Sequence, residues 1–514
     1  MTRAIRLLPA FMTVGAWTLA SRVLGFVRDI LIAALLGAGP VAEAFLIAFS
    51  LPNMFRRFFA EGAFNTAFVP LFSKRLEAGE DAEGFARDAA TALGLAVLAL
   101  VALAQVFMPG FVLAMAAGFA GDERLDLAVE FGRIVFPYIL LISLAALISG
   151  VLNTLGRFWA AAAAPVLLNV VLITALGISG LAGGDTGRAL AWAVPVGGIA
   201  QLVLVWMAAK RAGITVLPRR PRLTPGLKRL AIIAAPAALA GGVVQVNLLV
   251  GRQVASFTEG AIAWLNYADR LYQLPLGVVG IAIGVVLLPD LSRKLAAGDR
   301  QGGIDTINRA AEFSLALTLP AAAALIAIPG TLIAVLFERG AFTAEDSAAT
   351  AVALAIYGLG LPAFVLQKVL QPVFFAREDT RSPFRYALVA MVVNLVLAVG
   401  LMPVIGYVAA PVATTLSAWA MLAQLWRGAR RIDGAIQPDA RLIRRLAGIC
   451  GASVVMGAAV YAGAGMLAAP LEVAGLRIAA LGALVAGGAA VYAGVLVASR
   501  TFTPAEMRGY LRRR

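Results

Sequence analysis

Residues 21–80 read SRVLGFVRDILIAALLGAGPVAEAFLIAFSLPNMFRRFFAEGAFNTAFVPLFSKRLEAGE, and this stretch decides the fold. It is apolar enough, and long enough, for two membrane crossings of about 20 residues each. Yet Arg22, Arg28, Asp29, Glu43, Arg56, Arg57 and Glu61 stand inside its hydrophobic runs. A charge at bilayer depth costs roughly 2.5–3.5 kcal/mol on insertion scales, so four arginines facing lipid would cost about 10 kcal/mol or more. They are expected to face water, a partner charge or an anionic ligand inside a helical bundle.

The rest of the chain extends the same pattern. Of 514 residues, 61% are hydrophobic and 14% charged, and the mean hydropathy is +0.89. A soluble domain is near half apolar and a quarter charged, so this is an all-α integral membrane protein. The formal net charge of +15 falls mostly in loops between apolar runs. That distribution fits positive-inside topology and not nucleic-acid binding. There is no histidine, which removes imidazole acid–base chemistry, Ser-His-Asp triads and imidazole metal sites. Cys450 is the single cysteine and reads as a small packing residue in an apolar run. No G-x-x-x-x-G-K-[ST] motif occurs, which argues against ATP-driven transport. No cofactor or metal is expected, and the first apolar run reads as a span, not a cleaved signal.

Apolar runs divide the chain into about fourteen transmembrane helices, near 11–37, 41–73, 87–117, 125–153, 158–182, 187–210, 228–255, 261–291, 305–337, 346–376, 384–405, 408–428, 443–468 and 475–499. Basic loops (the N-terminus, 74–75, 157, 208–230, 293–300, 377–385, 427–445 and the tail) alternate with loops poor in Lys and Arg. The alternation predicts an even number of spans with both termini in the cytoplasm.

An internal repeat organises these helices. VPLFSKRLEAGE (69–80) matches LPDLSRKLAAGD (288–299), Ser50-Leu51-Pro52 matches Gln273-Leu274-Pro275, and Pro137 pairs with Pro362. A repeat of six helices, an even number, gives parallel copies: two six-helix lobes around a central cavity. The predicted division is an N-lobe over 1–210, a basic Pro-rich linker over 211–227, a C-lobe over 228–434, and two further helices with a basic tail over 435–514.

Arg22 and Arg28 lie six residues apart, about 120° around a helix, so both can border one broad cavity. Gly25 between them permits bending or close packing. Asp29 is their local counter-charge. Glu43 can anchor a cavity hydrogen bond or pair with an arginine. After Pro52, which is expected to kink its helix, come Asn53, Arg56, Arg57 and Glu61. Arg57 and Glu61 are spaced to pair at i,i+4, which favours Arg56 for the cavity only weakly. In the second half, Asp269, Arg270 and Gln273 precede Pro275, and Lys368 is intramembrane. The deep cations outnumber the deep anions. Arginine forks suit phosphate and lysine adds a point charge, so the substrate is expected to be an anion. Asn247 and Asn394 have no acid beside them, which argues against a dedicated cation site.

SRVLGFVRD (21–29), LPNMFRRFFAEGAFNTAFVP (51–70), FPYILLISLAALISGVLNTLGRF (136–158), NYADRLYQLPLGVVGIAIGVVLLPDLS (266–292) and the Lys368 region resemble the MurJ/MviN family of lipid II flippases, over essentially the whole chain. The resemblance implies two six-helix lobes plus two C-terminal helices that form a groove for a polyprenyl tail. It implies that the essential cavity arginines are Arg22, Arg28, Arg56 and Arg270. Glu43 falls where Asp is common in the family, and Gln273 falls where Glu is frequent, which removes a possible charge. The implied activity is transfer of undecaprenyl-pyrophosphate-linked peptidoglycan precursor to the outer leaflet by alternating access, driven by membrane potential, with no enzymatic step. The implied partners are lipid II, membrane lipids and cell-wall synthesis enzymes, with a monomer as the default. Two alternatives are an ion-coupled small-molecule exporter, which wants buried acids, and a non-transporting scaffold, in which cavity arginines would be silent on mutation.

Overall fold

The computed structural model describes residues 7–56, 63–432, 436–473 and 475–502. Arg3 and Arg6, the proposed Arg57–Glu61 pair, the Asn247 side chain and the tail arginines from 508 lie outside the described residues. Among those described, regular structure is entirely helical. Nine helical stretches among the described residues are long and apolar enough to cross a membrane by length and composition.

In chain order the helices are α1 (Leu7–Leu36), α2 (Pro40–Arg56), α3 (Ala63–Glu77), α4 (Ala82–Met115), α5 (Glu123–Val135), α6 (Tyr138–Thr154), α7 (Trp159–Ala182), α8 (Thr186–Arg211) and α9 (Pro225–Ser256). There follow α10 (Ala261–Ala296), α11 (Arg300–Ala327), α12 (Pro329–Phe337), α13 (Ala344–Phe375), α14 (Arg381–Ile405), α15 (Ala409–Arg431), α16 (Ala440–Met466), the short α17 (Ala468–Glu472) and α18 (Arg477–Ala498). Their limits track the apolar runs, and several of them begin at a side-chain cap. Side chains of Asp81, Asp122, Asp185, Thr224, Asp299, Thr343 and Asp439 accept from backbone N–H groups of the first turn that follows, supplying acceptors that the helix cannot.

Two expected single spans are broken in two: 125–153 becomes α5 and α6, and 305–337 becomes α11 and α12. Of the expected span 41–73, α2 and α3 are described, and residues 57–62 between them lie outside the described residues. Proline accounts for both breaks. Pro137 caps α6 and Pro329 begins α12, each lacking the N–H that would continue the preceding ladder.

The repeat is visible in local geometry. After α3, Gly79 turns at φ +68°, and Asp81 accepts from Gly84 N at 2.7 Å. After α10, Gly298 turns at φ +72°, and Asp299 accepts from Gly302 N at 2.8 Å. In both copies a glycine stands three residues after the capping aspartate and donates its N–H to that carboxylate.

The chain forms two compact units. The first holds residues 1–263 and 339–342. In it α1 packs on α7, α2 on α5, and α8 on α6 and α7. Buried Tyr138 donates to Gln201 Oε1 (3.1 Å), and Gln201 Nε2 donates to the Ala164 carbonyl (2.9 Å), tying α6, α7 and α8 together. Helix α9 opens the second copy of the repeat in sequence, but in space it packs on α3 and α4. Gln253 donates to the carbonyls of Leu113 and Ala114 and accepts from Ala117 N, and Ser256 accepts from Gly118 N at 2.9 Å. The loop Arg339–Phe342 also belongs here: Ala341 N donates to Ala34 O at 2.8 Å. Gly340 has φ +59°, and a Cβ there would lie 2.1 Å from the same oxygen, so only glycine fits.

The second unit holds residues 264–338 and 343–514. Here α13 packs on α11 and α15, α14 on α15, and α16 on α11 and α18. Pro320 leaves the Ala316 carbonyl without its helical donor, and Tyr492 Oη on α18 donates to it at 2.7 Å. At the other end of α11, buried Glu312 accepts from Arg309, Arg441 and Arg445, and Arg309 also binds Asp439, so an ionic knot fastens α16 to α11. Cys450, expected to pack, is exposed on α16. In a membrane protein an exposed apolar helix face meets lipid, so a small apolar side chain there needs no protein partner.

Candidate functional site

In the first unit, two charge clusters hold Arg28, Asp29 and Glu43. On α1, Arg28 is 7% exposed and Asp29 1%. Adjacent helical residues ordinarily diverge. Here the guanidinium bends onto its neighbour: Nε and Nη2 donate to Asp29 Oδ1 at 3.1 and 2.8 Å. Nη1 donates to Asn169 Oδ1 on α7 at 3.0 Å. The Phe49 ring of α2 lies 5.6 Å from the guanidinium carbon, a cation–π distance. Asn169 is itself oriented, because its Nδ2 donates to Ser21 O at 3.1 Å and Pro165 O at 3.3 Å. A carboxylate, an amide and an aromatic face thus set the rotamer of a buried cation. Three of its five N–H groups are spent, leaving two for an incoming oxygen. Gly25 is not needed for packing on α7, since a Cβ there would meet Asn169 only at 3.7 Å, an ordinary contact. Arg22, six residues earlier, is exposed.

Asn169 did not figure among the sequence candidates. Its signal was there: an amide inside the apolar run 158–182, four residues after Pro165.

The second cluster is centred on Glu43, fully buried near the start of α2. Its Oε2 accepts from Arg124 Nη1 at 2.9 Å, and its Oε1 accepts from the backbone N of Ile262 at 2.9 Å. Arg124 also binds Asp122 at 2.6 Å and stacks 4.5 Å from the Phe119 ring centroid. In the loop, the Arg124 guanidinium holds the Asp122 carboxyl below the usual carboxylate range. Glu43 therefore joins α2, α5 and the first turn of α10, where a carboxylate at a helix N-terminus is favourably placed. Arg124 was the unforeseen partner. It stands at the head of α5, 81 residues from Glu43, and no periodicity links them.

Asn53 and Arg56 occupy the last turn of α2 and are half-buried. Asn53 Nδ2 donates to Phe49 O at 2.7 Å, just past the helical position disturbed by Pro52.

In the second unit, Asp269 and Arg270 sit half-buried on α10 and Gln273 is exposed. Gln273 donates to Asp269, one turn back on the same helix. Tyr272 lies against Tyr357 at 4.8 Å and stacks on Phe364 at 5.7 Å between ring centroids, both on α13. Lys368 is exposed one helical turn beyond Phe364 and so on the same face. The structure thus brings Arg28 together with Asp29, Glu43 with Arg124 and Ile262, and Asp269 with Gln273. Arg22 and Lys368 are exposed side chains.

Comparison with known proteins gives these arrangements a family. The sequence model described as "Lipid II flippase MurJ" matches residues 32–478. A "Probable lipid II flippase MurJ" of Rhizobium tropici is 47% identical over 458 residues, covering 88% of this chain and 86% of its own length. A protein of the same description from Rhizobium meliloti (strain 1021) is 46% identical, covering 91% and 89%. Among solved structures, "Lipid II flippase MurJ, inward closed conformation" superposes with TM-score 0.79 at 25% identity, covering 95% of this chain and 98% of the other. An inward-facing multidrug resistance MATE family transporter of the MOP superfamily reaches TM-score 0.67 at 16% identity over 81% of this chain and 95% of its own, a likeness of fold alone.

Proposed function

The chain belongs to the lipid II flippase MurJ family, and from that premise we propose that it moves lipid II from the cytoplasmic to the outer leaflet of the bacterial inner membrane by alternating access. It is a transporter, not an enzyme. The observation that carries the reading is Arg28: a buried cation in the apolar helix α1, its rotamer set by Asp29, Asn169 and Phe49, with two N–H groups in hand. A pyrophosphate supplies the anionic oxygens that such a fork takes.

In this reading Arg22, Arg28, Arg56 and Arg270 serve the pyrophosphate in turn as the two six-helix lobes rock, and Lys368 adds long-range attraction. Asn53, Asp269 and Gln273 serve the sugar and peptide through hydrogen bonds. Asp29 positions Arg28. Glu43 acts indirectly, by fixing α5 and the start of α10 through Arg124 and Ile262. The polyprenyl tail stays in lipid along α16 and α18, whose Val454, Tyr461 and Val485 are exposed. The protein works as a monomer with both termini in the cytoplasm, beside the enzymes of cell-wall synthesis.

A pyrophosphate carrying about two negative charges gains roughly 2.3 kcal/mol per charge per 100 mV on moving outward through the full field of an inside-negative membrane. That drives the cycle without ATP. Collapsing the potential at constant pH is expected to slow appearance of lipid II on the outer face; an unchanged rate removes the potential as the driving force.

The functional test is rescue of cells depleted of this protein. Wild type and Arg28→Lys are compared with Arg28→Ala for lipid II on the outer surface, after each variant is shown to be inserted. Loss with Ala and partial retention with Lys is expected. Normal exposure with Arg28→Ala overturns the role given to Arg28.

A further inference from the structure

The segments that leave the two copies of the repeat are fastened in the same way. In the first unit, residues 212–224 lead from α8 to α9 and cross α4. Arg87 donates to Thr215 O at 2.9 Å, the Arg219 guanidinium pairs with Asp88 at 2.5 Å, and Thr91 Oγ1 accepts from Arg219 N at 2.9 Å. In the second unit, residues 436–439 lead into α16 and cross α11. Asn308 donates to Gln437 O at 2.8 Å, Arg309 pairs with Asp439, and Glu312 accepts from Arg441 at 3.4 Å and Arg445 at 2.5 Å.

Both sets occupy positions i, i+1 and i+4 of one helix: 87, 88 and 91 on α4, and 308, 309 and 312 on α11. Asp88 stands seven residues after the cap Asp81 and Arg309 ten after the cap Asp299, a shift of about one helical turn. In each set the first residue donates to a carbonyl of the segment, the second makes an ion pair, and the third accepts. Each segment also turns an apolar side chain inward, Val216 in one and Ile436 in the other.

The middle ion pair reverses its polarity between the copies. The helix supplies the acid in the first unit and the cation in the second. Exchanging the segments would set Arg219 beside Arg309 and Asp439 beside Asp88, and like charges oppose that. Each segment therefore fits its own unit. The acids are sequestered, with Asp88 4% and Glu312 2% exposed. Removing their cations would leave a buried charge uncompensated, unlike the loss of a surface pair.

The helices that follow repeat the arrangement too. Helix α9 packs on α3 and α4, and α16 packs on α11. Thr224 caps α9 by accepting from Leu227 N. Asp439 caps α16 through one oxygen, which accepts from Leu442 N at 2.6 Å, and binds Arg309 through the other.

We propose that Asp88 and Glu312 are positioning residues for transport: each keeps the segment leaving its unit on that unit's own helix throughout the cycle, and so fixes where α9 and α16 begin. Residues 212–224 are the covalent link between the two copies, so the first unit sets where the second copy starts. The role in transport rests on the flippase reading; the fastening itself is measured without it.

The test uses the full chain in vesicles, with Cys450→Ser as the parent. Spin labels are placed through Ala78→Cys and Lys228→Cys for the first fastening, and through Ala297→Cys and Arg444→Cys for the second; all four side chains are exposed. One narrow distance is expected for each pair. Asp88→Ala should broaden the first distance and leave the second unchanged, and Glu312→Ala should do the reverse. Asn308→Ala removes only the bond to Gln437 O and replaces Glu312→Ala if that variant does not fold. Without labels, Asp88→Cys/Arg219→Cys should move lipid II about fivefold more slowly than the parent, the factor for about 1 kcal/mol. A short bifunctional thiol reagent joining the two positions should restore the rate. A lower melting temperature with an unchanged rate per folded protein would overturn the positioning role. Distances unmoved by Asp88→Ala and by Asn308→Ala would overturn the fastening. A bridged protein slower than the unbridged one would show that the fastening has to open, and would overturn the proposal. No lipid II movement by the parent, with the distances behaving as expected, would overturn the flippase reading and the role in transport while upholding the fastening.

Discussion

Removing Asp29 separates two roles that Arg28 combines. In Asp29→Ala the guanidinium loses both bonds to Oδ1, at 3.1 and 2.8 Å, and keeps only Asn169 at 3.0 Å and the Phe49 face. The side chains involved are 9% and 2% exposed, so little water can replace the lost carboxylate. Leaving one member of a buried pair uncompensated costs about 3–5 kcal/mol. The retained amide and aromatic contacts place this case near the lower end. The double variant Arg28→Met/Asp29→Leu removes both charges and refills the space with apolar atoms. Replacements of that kind are often neutral or stabilising. Thermal unfolding of the purified protein in one detergent should therefore rank Asp29→Ala well below wild type and the double variant near it. In the lipid II exposure assay the order is different: the double variant is as inactive as Arg28→Ala, because it has no fork for phosphate. If the double variant is as unstable as Asp29→Ala, the pair is not the source of the instability. If it is stable and transports, Arg28 serves the fold and not the substrate.

Three further outcomes follow from the same geometry. Glu43→Ala leaves Arg124 with Asp122 alone and Ile262 N without its acceptor; it should cost about 3 kcal/mol, and Glu43→Gln clearly less, read as the drop in melting temperature. Tyr492→Phe leaves the Ala316 carbonyl beside Pro320 without a donor and should destabilise by about 1 kcal/mol, with no change at the candidate site. Arg124 lowers the carboxyl pKa of Asp122 on folding, so its stabilisation is complete above the unfolded value of about 3.9 and is lost as pH falls through the lower folded one. Melting temperature measured down a pH series should fall on the acid side, and Asp122→Asn should flatten that fall.

The helices were legible because a bilayer demands long apolar runs, and the runs at 158–182, 187–210 and 384–405 needed nothing more. The breaks were harder to read. Pro52 and Pro137 look alike in sequence, yet α2 continues through Pro52 whereas Pro137 begins a new helix, because tertiary packing decides whether a freed carbonyl is tolerated. The repeat was legible at 69–80 and 288–299, and its physical basis is the glycine turn and aspartate cap that both copies share. That α9 packs on α3 and α4 was not legible, since Gln253 and Ser256 meet main-chain groups more than 130 residues away. At the candidate site the charges announced themselves by their cost in lipid, but their partners did not. Arg28 folds onto its own neighbour against the usual divergence of i,i+1 side chains, because Asn169 and Phe49 close the other directions. Glu43 is an acid near the end of a span, and only the fold shows that it caps a turn beginning 218 residues later.

The most direct test of the central claim is transport by the isolated protein. Lipid II labelled on its peptide is placed in vesicles with and without the purified chain, and the fraction open to a membrane-impermeant reagent is followed with time. The account predicts that lipid II becomes accessible only in vesicles holding the wild-type protein, faster with the potential imposed in the driving direction, and that Arg28→Ala reduces the rate to that of empty vesicles. Equal accessibility in protein-free and protein-containing vesicles, or full activity of Arg28→Ala, would contradict it.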